Sequence, residues 1–300
     1  MVEIYDTSLA QLNIDKEKKA QIVEMLDKIG VSKIDVGSPE TRKKREVIRY
    51  LLTEPVDAEI FASVYREKDV EKAVRCDVDG VTIPVPASGR VARILELNFN
   101  KMIKSAHESG LCTYATLIDA TYEGIESRIS GLLETGVDCI ILEDTASLLT
   151  PEKTEKMFKE LVEKYGIKFG ISAKNGFGMS VANTISAIKA GVNVVFAAIY
   201  GKGFSHGNTP LEDLVLALNF FFSEKRSLES LSRLLSVFEK RIFLKRYHPI
   251  ENPLELKLAF ENREIIFPLK VSETDYMIDT LSLIHISEPT RPLYISYAVF

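Results

Sequence analysis

The feature that most constrains the fold of this sequence is a recurring glycine that separates a helical pattern from a short apolar run. Amphipathic helical patterns such as Lys16–Ile29 and Pro151–Tyr165 precede most of these glycines. Glycine ends a helix well because it adopts the left-handed conformation without strain, and a short apolar run is typical of a buried parallel strand. The glycines concerned are Gly30, Gly80, Gly110, Gly136, Gly166 and Gly191.

The apolar runs predict strands that alternate with helices along the chain, and Leu211–Phe222 supplies the last helix of the series. Alternation of this kind over about 222 residues favours an α/β fold, a (β/α)8 TIM barrel. An open doubly wound sheet is the alternative, since a sequence does not reveal whether a sheet closes. The predicted strands are Glu3–Tyr5, Lys33–Val36, Glu59–Val64, Gly80–Pro84, Cys112–Ile118, Cys139–Leu142, Phe169–Ser172 and Val194–Ile199.

The pattern changes after Phe222 and divides the chain into three parts. Residues 1–222 form the predicted barrel, and residues 223–282 are expected to form a small C-terminal appendage that begins with a helix over Ser223–Lys240. The stretch from Leu283 to Arg291, continuing to Phe300, resembles translated sequencing-adapter DNA. We therefore expect residues 283–300 to be a non-native tail that replaces the true C-terminus, and we exclude them from fold reasoning.

Charge, hydropathy and cysteine usage restrict the function classes. The net charge is −5, which argues against a nucleic-acid or anionic-membrane partner. No window approaches the ~18 apolar residues that a membrane span needs, and no signal peptide is visible, so we expect a cytoplasmic protein. The odd number of cysteines, without close spacing, argues against a disulfide framework and a zinc knuckle.

Five segments at predicted strand ends, where barrel enzymes carry their functional residues, match the motifs of one family in order and spacing. The segments Asp6–Leu9, Ile34–Pro39, Leu142–Pro151, Gly170–Asn183 and Gly207–Glu212 resemble "DTTLRDG", "IEVGFP", "LADTVGVLTP", "HxHNDLGLAVAN" and "AGNTPLEE", respectively. Residues 1–222 are thus similar to the isopropylmalate synthase and homocitrate synthase family. This family belongs to the metal-dependent, pyruvate carboxyltransferase-type barrels that include 3-hydroxy-3-methylglutaryl-CoA (HMG-CoA) lyase.

The resemblance implies a Claisen condensation of acetyl-CoA with a 2-oxo acid, assisted by a divalent metal. In the family an aspartate, two histidines and an asparagine bind the metal, an arginine polarises the substrate, and the motif "IEVG" carries a glutamate. Here Ala10 stands at the arginine position and Asp35 at the glutamate position. The ligand positions hold Gln11, Ser172, Lys174 and Asn208. Because an ammonium repels a cation, and a hydroxyl or an amide is a weak substitute for His or Asp, we expect neither a divalent metal nor another cofactor.

Three functional hypotheses follow from these replacements at the carboxyl ends of the predicted strands. The first is a non-catalytic subunit or paralogue of a homocitrate or isopropylmalate synthase, present as a homodimer or as a heteromer with a catalytic paralogue. The second is a metal-independent aldolase or lyase, in which Lys174 acts as a Schiff-base or electrostatic group and Asp35 as acid or base. The third is a module that binds a small anion, a 2-oxo acid or CoA, without turnover.

Other polar residues at the strand ends are candidates for substrate binding. Lysines could replace the positive charge of the metal, and a glycine-rich turn at Gly201–Gly203 offers backbone amides to an anion. Strand-end aspartates, however, more often bind loop amides or cap the next helix. The candidate substrate-binding residues are Asp6, Asp119, Asp144, Asn175, Lys202 and Asn208.

Overall fold

The computed structural model describes residues 1–87, 98–121, 124–203 and 206–238. Most of the predicted appendage, from residue 239 onward, and the predicted tail at 283–300 lie outside the described residues.

Parallel strands form a closed barrel in which each strand is hydrogen-bonded to the next and β8 returns to β1. The (β/α)8 TIM barrel is therefore confirmed, and the doubly wound alternative is wrong. The strand β5 has the predicted bounds, and the other strands differ from the prediction by one or two residues at the mouth end, β7 also at its start. The strands β4 and β6 are longer than predicted because their ladders with β5 and β7 continue towards the mouth, whereas β2, β3 and β8 end earlier. The strands are β1 (Glu3–Asp6), β2 (Lys33–Asp35), β3 (Glu59–Ser63), β4 (Gly80–Pro86), β5 (Cys112–Ile118), β6 (Cys139–Asp144), β7 (Lys168–Ala173) and β8 (Val194–Ala197).

Helices surround the barrel, and α1 and α8 have the predicted bounds. The helix predicted over Ser223–Lys240 begins later, because Ser223 adopts a left-handed conformation (φ 55°) that ends α8. No described helix is both long and apolar enough to cross a membrane. The described helices are α1 (Lys16–Ile29), α2 (Arg42–Leu51), α3 (Glu67–Val74), α4 (Phe99–Glu108), α5 (Ile125–Leu133), α6 (Pro151–Lys164), α7 (Ser180–Lys189), α8 (Leu211–Phe222) and α9 (Leu228–Val237).

A cluster of aromatic side chains, the aromatic floor, fills the barrel interior below the carboxyl ends of the strands. It consists of Tyr5, Phe61, Tyr114 and Phe196. The rings of Tyr5 and Phe196 stack with their centroids 4.1 Å apart, and Phe61 meets Tyr5 edge to face. Successive side chains on a strand point to opposite faces, so the residues two positions after these face the mouth of the barrel.

A buried arginine connects three elements at the opposite end of the barrel. The guanidinium of Arg226, in the loop between α8 and α9, donates to the carbonyls of Val2 and Gly30. It also pairs with Glu224, with an Nη2–Oε2 distance of 2.7 Å, and Glu224 accepts from the Val2 amide at 2.7 Å. Arg226 thereby ties the start of β1, the end of α1 and the α8–α9 loop together.

Replacing Arg226 by methionine is expected to lower the free energy of unfolding by about 3–5 kcal/mol, because Glu224 would stay buried without its partner. Arg233→Met is the matched control, since Arg233 makes an exposed pair with Glu229 that is worth less than about 1 kcal/mol. Urea denaturation measures both losses. Equal losses for the two variants would contradict the role assigned to Arg226.

Candidate functional site

Polar side chains line the mouth of the barrel. They occupy the inward-facing strand positions that follow those of the aromatic floor. Ser63, Thr116 and Glu143 each lie two residues after an interior residue of the same strand. Their contacts bring in side chains of neighbouring strands: Asp35 with Ser63, Thr82 with Thr116, and Ser172 with Glu143. These interior residues are buried from bulk solvent by the barrel walls.

The four positions that correspond to the family's metal ligands lie together at this mouth. The Lys174 ammonium donates to Asn208 Oδ1 at 2.8 Å. The Asn208 amide nitrogen lies 3.2 Å from the carbonyl oxygen of Lys202, and the Gln11 amide nitrogen lies 3.4 Å from the same oxygen. The end of β7, the turn after β1 and the loop after β8 thus meet through Lys174, Gln11 and Asn208, and Ser172 joins them through Glu143.

Glu143 is a site residue that the sequence analysis missed. Its Oε2 lies 3.2 Å from Lys174 Nζ and 3.4 Å from Ser172 Oγ, while its Oε1 accepts from Thr145 Oγ1 at 3.0 Å. The Lys174 and Glu143 side chains are only 6% and 9% exposed, so this is a buried ion pair. One signal was available: Glu143 stands where the "LADT" motif has alanine, on an inward-facing position of β6.

The donors at these positions do not fit a divalent cation. The Asn208 oxygen that could bind a metal accepts a hydrogen bond from the Lys174 ammonium instead, and the Glu143 carboxylate forms an ion pair with the same ammonium. An ammonium has no lone pair to donate and repels a cation. Within the described ranges, no three or more His, Cys, Asp or Glu side chains are grouped so that they could hold a metal ion.

Asp35 lies across the mouth from Glu143, since β2 and β6 face each other in an eight-stranded barrel. Its two carboxylate oxygens accept from the Gly37 amide at 2.8 Å and from Ser63 Oγ at 2.6 Å. Burial raises the pKa of Asp35 to about 6, although these hydrogen bonds and the charge of Lys19 lower it. Lys19 donates to the Leu9 carbonyl at 3.0 Å, and burial lowers its pKa to about 8.

Asp6 and Asp144 are fully buried and bind the turns that follow their own strands. Asp6 accepts from the amide and hydroxyl of Ser8, at 2.9 and 3.0 Å, and Asp144 accepts from the amides of Leu148 and Leu149, at 2.8 and 3.0 Å. Burial raises their pKa values to about 7 and about 6, respectively. These contacts are those of turn-forming residues, and substrate binding by either residue stays a prediction.

The remaining candidates also have structural contacts. Asp119 has a left-handed backbone (φ 59°), and its amide donates to Thr145 Oγ1 at 2.8 Å. Asn175 Oδ1 accepts from the Ser180 hydroxyl at 2.7 Å and caps the start of α7. Lys202 contributes its carbonyl oxygen to the mouth. Lys174 and Asn208 are therefore the predicted residues that the structure brings together most directly.

His206 is a buried residue beside this network to which the sequence gave no role. Burial lowers the pKa of the imidazole, the nearby charge of Lys174 lowers it further, and a hydrogen bond with the Thr145 backbone opposes both. Gly176 leaves room for the ring, because a Cβ there would lie 3.2 Å from His206 Cγ and 2.7 Å from Ser147 Oγ. The neutral imidazole therefore packs between the loops after β6, β7 and β8.

Comparison with known proteins agrees with the motifs. The profile of the HMGL-like family matches residues 7–229. The (R)-citramalate synthase CimA of Methanocaldococcus jannaschii is 31% identical over 261 residues, which cover 79% of this chain and 53% of that protein. The homocitrate synthase AksA of the same organism is 29% identical over 285 residues, 86% of this chain and 69% of that protein. The chain thus spans about half the length of the citramalate synthase.

A solved structure shows the same fold. The hydroxymethylglutaryl-CoA lyase of Pseudomonas aeruginosa superposes with a TM-score of 0.70 at 16% identity, over 87% of this chain and 98% of that chain. At this identity the likeness concerns the fold alone.

The Lys174–Glu143 pair predicts a non-additive response to substitution. Lys174→Met is expected to lower the free energy of unfolding by about 3–5 kcal/mol, because the buried carboxylate loses its partner. Adding Glu143→Met is expected to restore much of that loss, since both buried charges are then gone. Urea denaturation of the two single variants and the double variant measures the coupling. Additive losses would contradict the pair, and Lys164→Met, in an exposed pair with Glu126, is the control for a lost lysine.

Asp35 predicts how stability depends on pH. The folded protein holds the Asp35 proton up to about pH 6, whereas the unfolded chain releases it near the ordinary pKa of 3.8. The contribution of this residue is therefore fully present below the unfolded pKa and is lost as the pH rises through the folded pKa. Relative to Asp35→Asn, the free energy of unfolding of the native chain is expected to fall by roughly 3 kcal/mol as the pH rises from below 3.8 to above about 6.

The measurement is urea denaturation of both proteins across this pH range. Asp6→Asn provides a comparison at a second buried aspartate whose pKa is raised, to about 7, and its window should extend correspondingly higher. Parallel stability curves for the native chain and Asp35→Asn would contradict the raised pKa of Asp35.

Proposed function

The chain belongs to the HMGL-like family, and we propose that within it this chain is a non-catalytic relative of the homocitrate and isopropylmalate synthases. It would serve as a subunit or paralogue of a catalytic synthase. The observation that carries the proposal is the buried Lys174–Glu143 ion pair, at positions where the family motifs have a metal-binding histidine and an alanine. The Lys174 ammonium is proposed to occupy the place of the metal and to be neutralised by Glu143, so that the mouth contains no Lewis acid.

The chemistry of the family reaction supports this proposal. A divalent cation polarises the carbonyl of the 2-oxo acid through vacant coordination positions, which an ammonium lacks. The ammonium of Lys174 already donates to Asn208 and is ion-paired with Glu143, and Ala10 stands at the position of the substrate arginine in the family motif. In this proposal, no group at the mouth polarises the carbonyl of a 2-oxo acid.

The charges at the mouth support the other two hypotheses, the anion-binding module and the metal-independent aldolase or lyase, less than they support a non-catalytic relative. An anionic 2-oxo acid would meet the Glu143 carboxylate, whose charge cancels that of Lys174. A Schiff base would require Lys174 to lose a proton and to leave both Glu143 and Asn208. Borohydride trapping with pyruvate, followed by mass spectrometry of the Lys174 peptide, distinguishes this alternative, because an adduct at Lys174 would replace the proposal.

The purified chain is expected to release no CoA from acetyl-CoA with 2-oxoglutarate, pyruvate or 2-oxoisovalerate, with Mg²⁺ or Mn²⁺ present. Release of the free thiol measures the reaction, and a catalytic homocitrate synthase under identical conditions is the positive control. Metal-dependent turnover by the isolated chain would overturn the proposal. Stimulation of a co-purified catalytic paralogue, without turnover by this chain alone, is the result expected of a heteromeric subunit.

A rebuilt site tests the proposed replacement of the metal. The variant Gln11→Asp, Glu143→Ala, Ser172→His, Lys174→His keeps Asn208 and restores the family ligand set. It is expected to bind about one equivalent of Mn²⁺ or Zn²⁺ in calorimetry, whereas the native chain binds none tightly. A folded rebuilt variant without metal affinity, or tight binding by the native chain, would contradict the assignment. Lys164→His, a surface substitution, controls for affinity gained from a single added histidine.

A further inference from the structure

Large apolar side chains are exposed together on α8 and at the start of α9. On α8, Phe220 is 83% exposed, Phe221 64% and Leu216 50%, and Leu228 on α9 is 46% exposed. We call these four residues the α8–α9 face. Single exposed apolar residues are ordinary on a protein surface, but a contiguous group of them is typical of an interaction surface.

The α8–α9 face has both a groove and a projection. The groove has a volume of about 370 Å³. Phe220 follows Leu216 by one helical turn, so it projects from the same side of α8, and its ring contacts the Phe221 ring edge to face with the centroids 5.2 Å apart. Two aromatic rings therefore project beside an apolar recess. The residues that line this groove are Leu216, Leu228, Leu231, Ser232, Leu235 and Ser236.

The projection and the groove match in size. An apolar cavity of about 150 Å³ accepts one benzene ring. By this measure the groove, at about 370 Å³, has room for two phenyl rings, which is the number that the projection carries. A body that covers the whole face must supply an apolar projection for the groove and an apolar recess for the rings. A second copy of this chain supplies both.

Charge also favours contact between identical copies. The chain carries no charged residue between Asp213 and Glu224, and the lining of the groove is uncharged. On α9, the exposed Glu229 and Arg233 pair with each other. A two-fold contact brings the same patch of both copies together, so a patch with a net charge would repel itself. A partner selected by charge complementarity would need an unpaired charge on this face, whereas a second copy needs none.

We propose that the α8–α9 face joins two copies of this chain about a two-fold axis, with the Phe220 and Phe221 rings of each copy in the groove of the other. Two antiparallel α8 helices meet this requirement, because an axis that passes between Leu216 and Phe220 exchanges these two positions. Phe220 of each copy then contacts Leu216 of the other. The proposal goes beyond the proposed function, since a catalytic chain could form the same dimer.

The dimer is expected to be of moderate strength. The two phenyl groups contribute on the order of 300 Å² per copy, whereas a standard interface buries about 800 Å² per partner. We therefore expect a dissociation constant on the order of micromolar. Sedimentation velocity of the full chain from about 1 to 100 μM measures it. The mass is expected to rise with concentration towards twice the 33.7 kDa of one chain.

Phe220→Glu is expected to weaken the dimer at least about tenfold, because a carboxylate would enter the apolar groove of the other copy. Phe220 is 83% exposed in the single chain, so at the lowest concentration the unfolding temperature of this variant is expected to match that of the native chain. Leu133→Glu is the matched control. Leu133 is a partly exposed leucine on α5, away from this face, and its replacement is expected to leave the dissociation constant unchanged.

A mixture of two variants tests the two-fold arrangement. Phe220→Glu and Leu216→Lys are each expected to be monomeric alone. Mixed one to one, they are expected to form a mixed dimer, since the new carboxylate and ammonium meet at one contact and the native Phe220–Leu216 contact is kept at the other. Separate affinity tags on the two variants allow the mixed dimer to be isolated.

The proposal is overturned if the native chain stays monomeric up to the highest concentration, or if a dimer survives Phe220→Glu. It is also overturned if the two variants form no mixed dimer, or if Phe220-dependent association occurs only with a catalytic homocitrate synthase. Release of CoA is read in a separate assay, so failure of the proposed function is distinguishable from failure of the dimer.

Discussion

The interaction on which the mouth of this barrel depends is the buried ion pair between Lys174 and Glu143. A buried ammonium is costly without a carboxylate, and a buried carboxylate is equally costly without a cation. Glu143 lies in β6 and Lys174 directly follows the adjacent strand β7, and the two residues are therefore coupled: neither is stable in this interior alone. Asn208 and Ser172 complete the hydrogen bonding of the pair, so that four strand-end positions share one polar network.

Barrel geometry explains why residues far apart in the sequence meet. Gln11 follows β1, Lys174 follows β7 and Asn208 follows β8, yet parallel strands carry all three to the same end of the barrel. Successive side chains on a strand point to opposite faces, so only every second residue at a strand end can enter the network. Glu143 points inward, whereas its neighbour Asp144 turns outward to the amides of its own loop.

The sequence predicted the fold well because glycine-terminated helices and apolar strands are local signals. Gly30 ends α1 with φ 93°, as its place in the pattern predicted. The meeting of Lys174 with Asn208 followed from motif order. The sequence did not predict that Glu143 joins them. Its contact with Ser172, 29 residues away, depends on how β6 and β7 pair in the barrel and not on a local pattern.

The two ends of the barrel have different roles in the fold. At the end away from the mouth, the buried ion pair of Arg226 and Glu224 joins β1, α1 and the α8–α9 loop. The aromatic floor separates that end from the polar network. Barrels generally keep stability in the strands and the far face and chemistry in the loops of the mouth. A metal contributes charge to a mouth rather than packing to a core. The buried Lys174–Glu143 pair balances its own charges, so the polar network at the mouth is stable without contributing to the packing of the core.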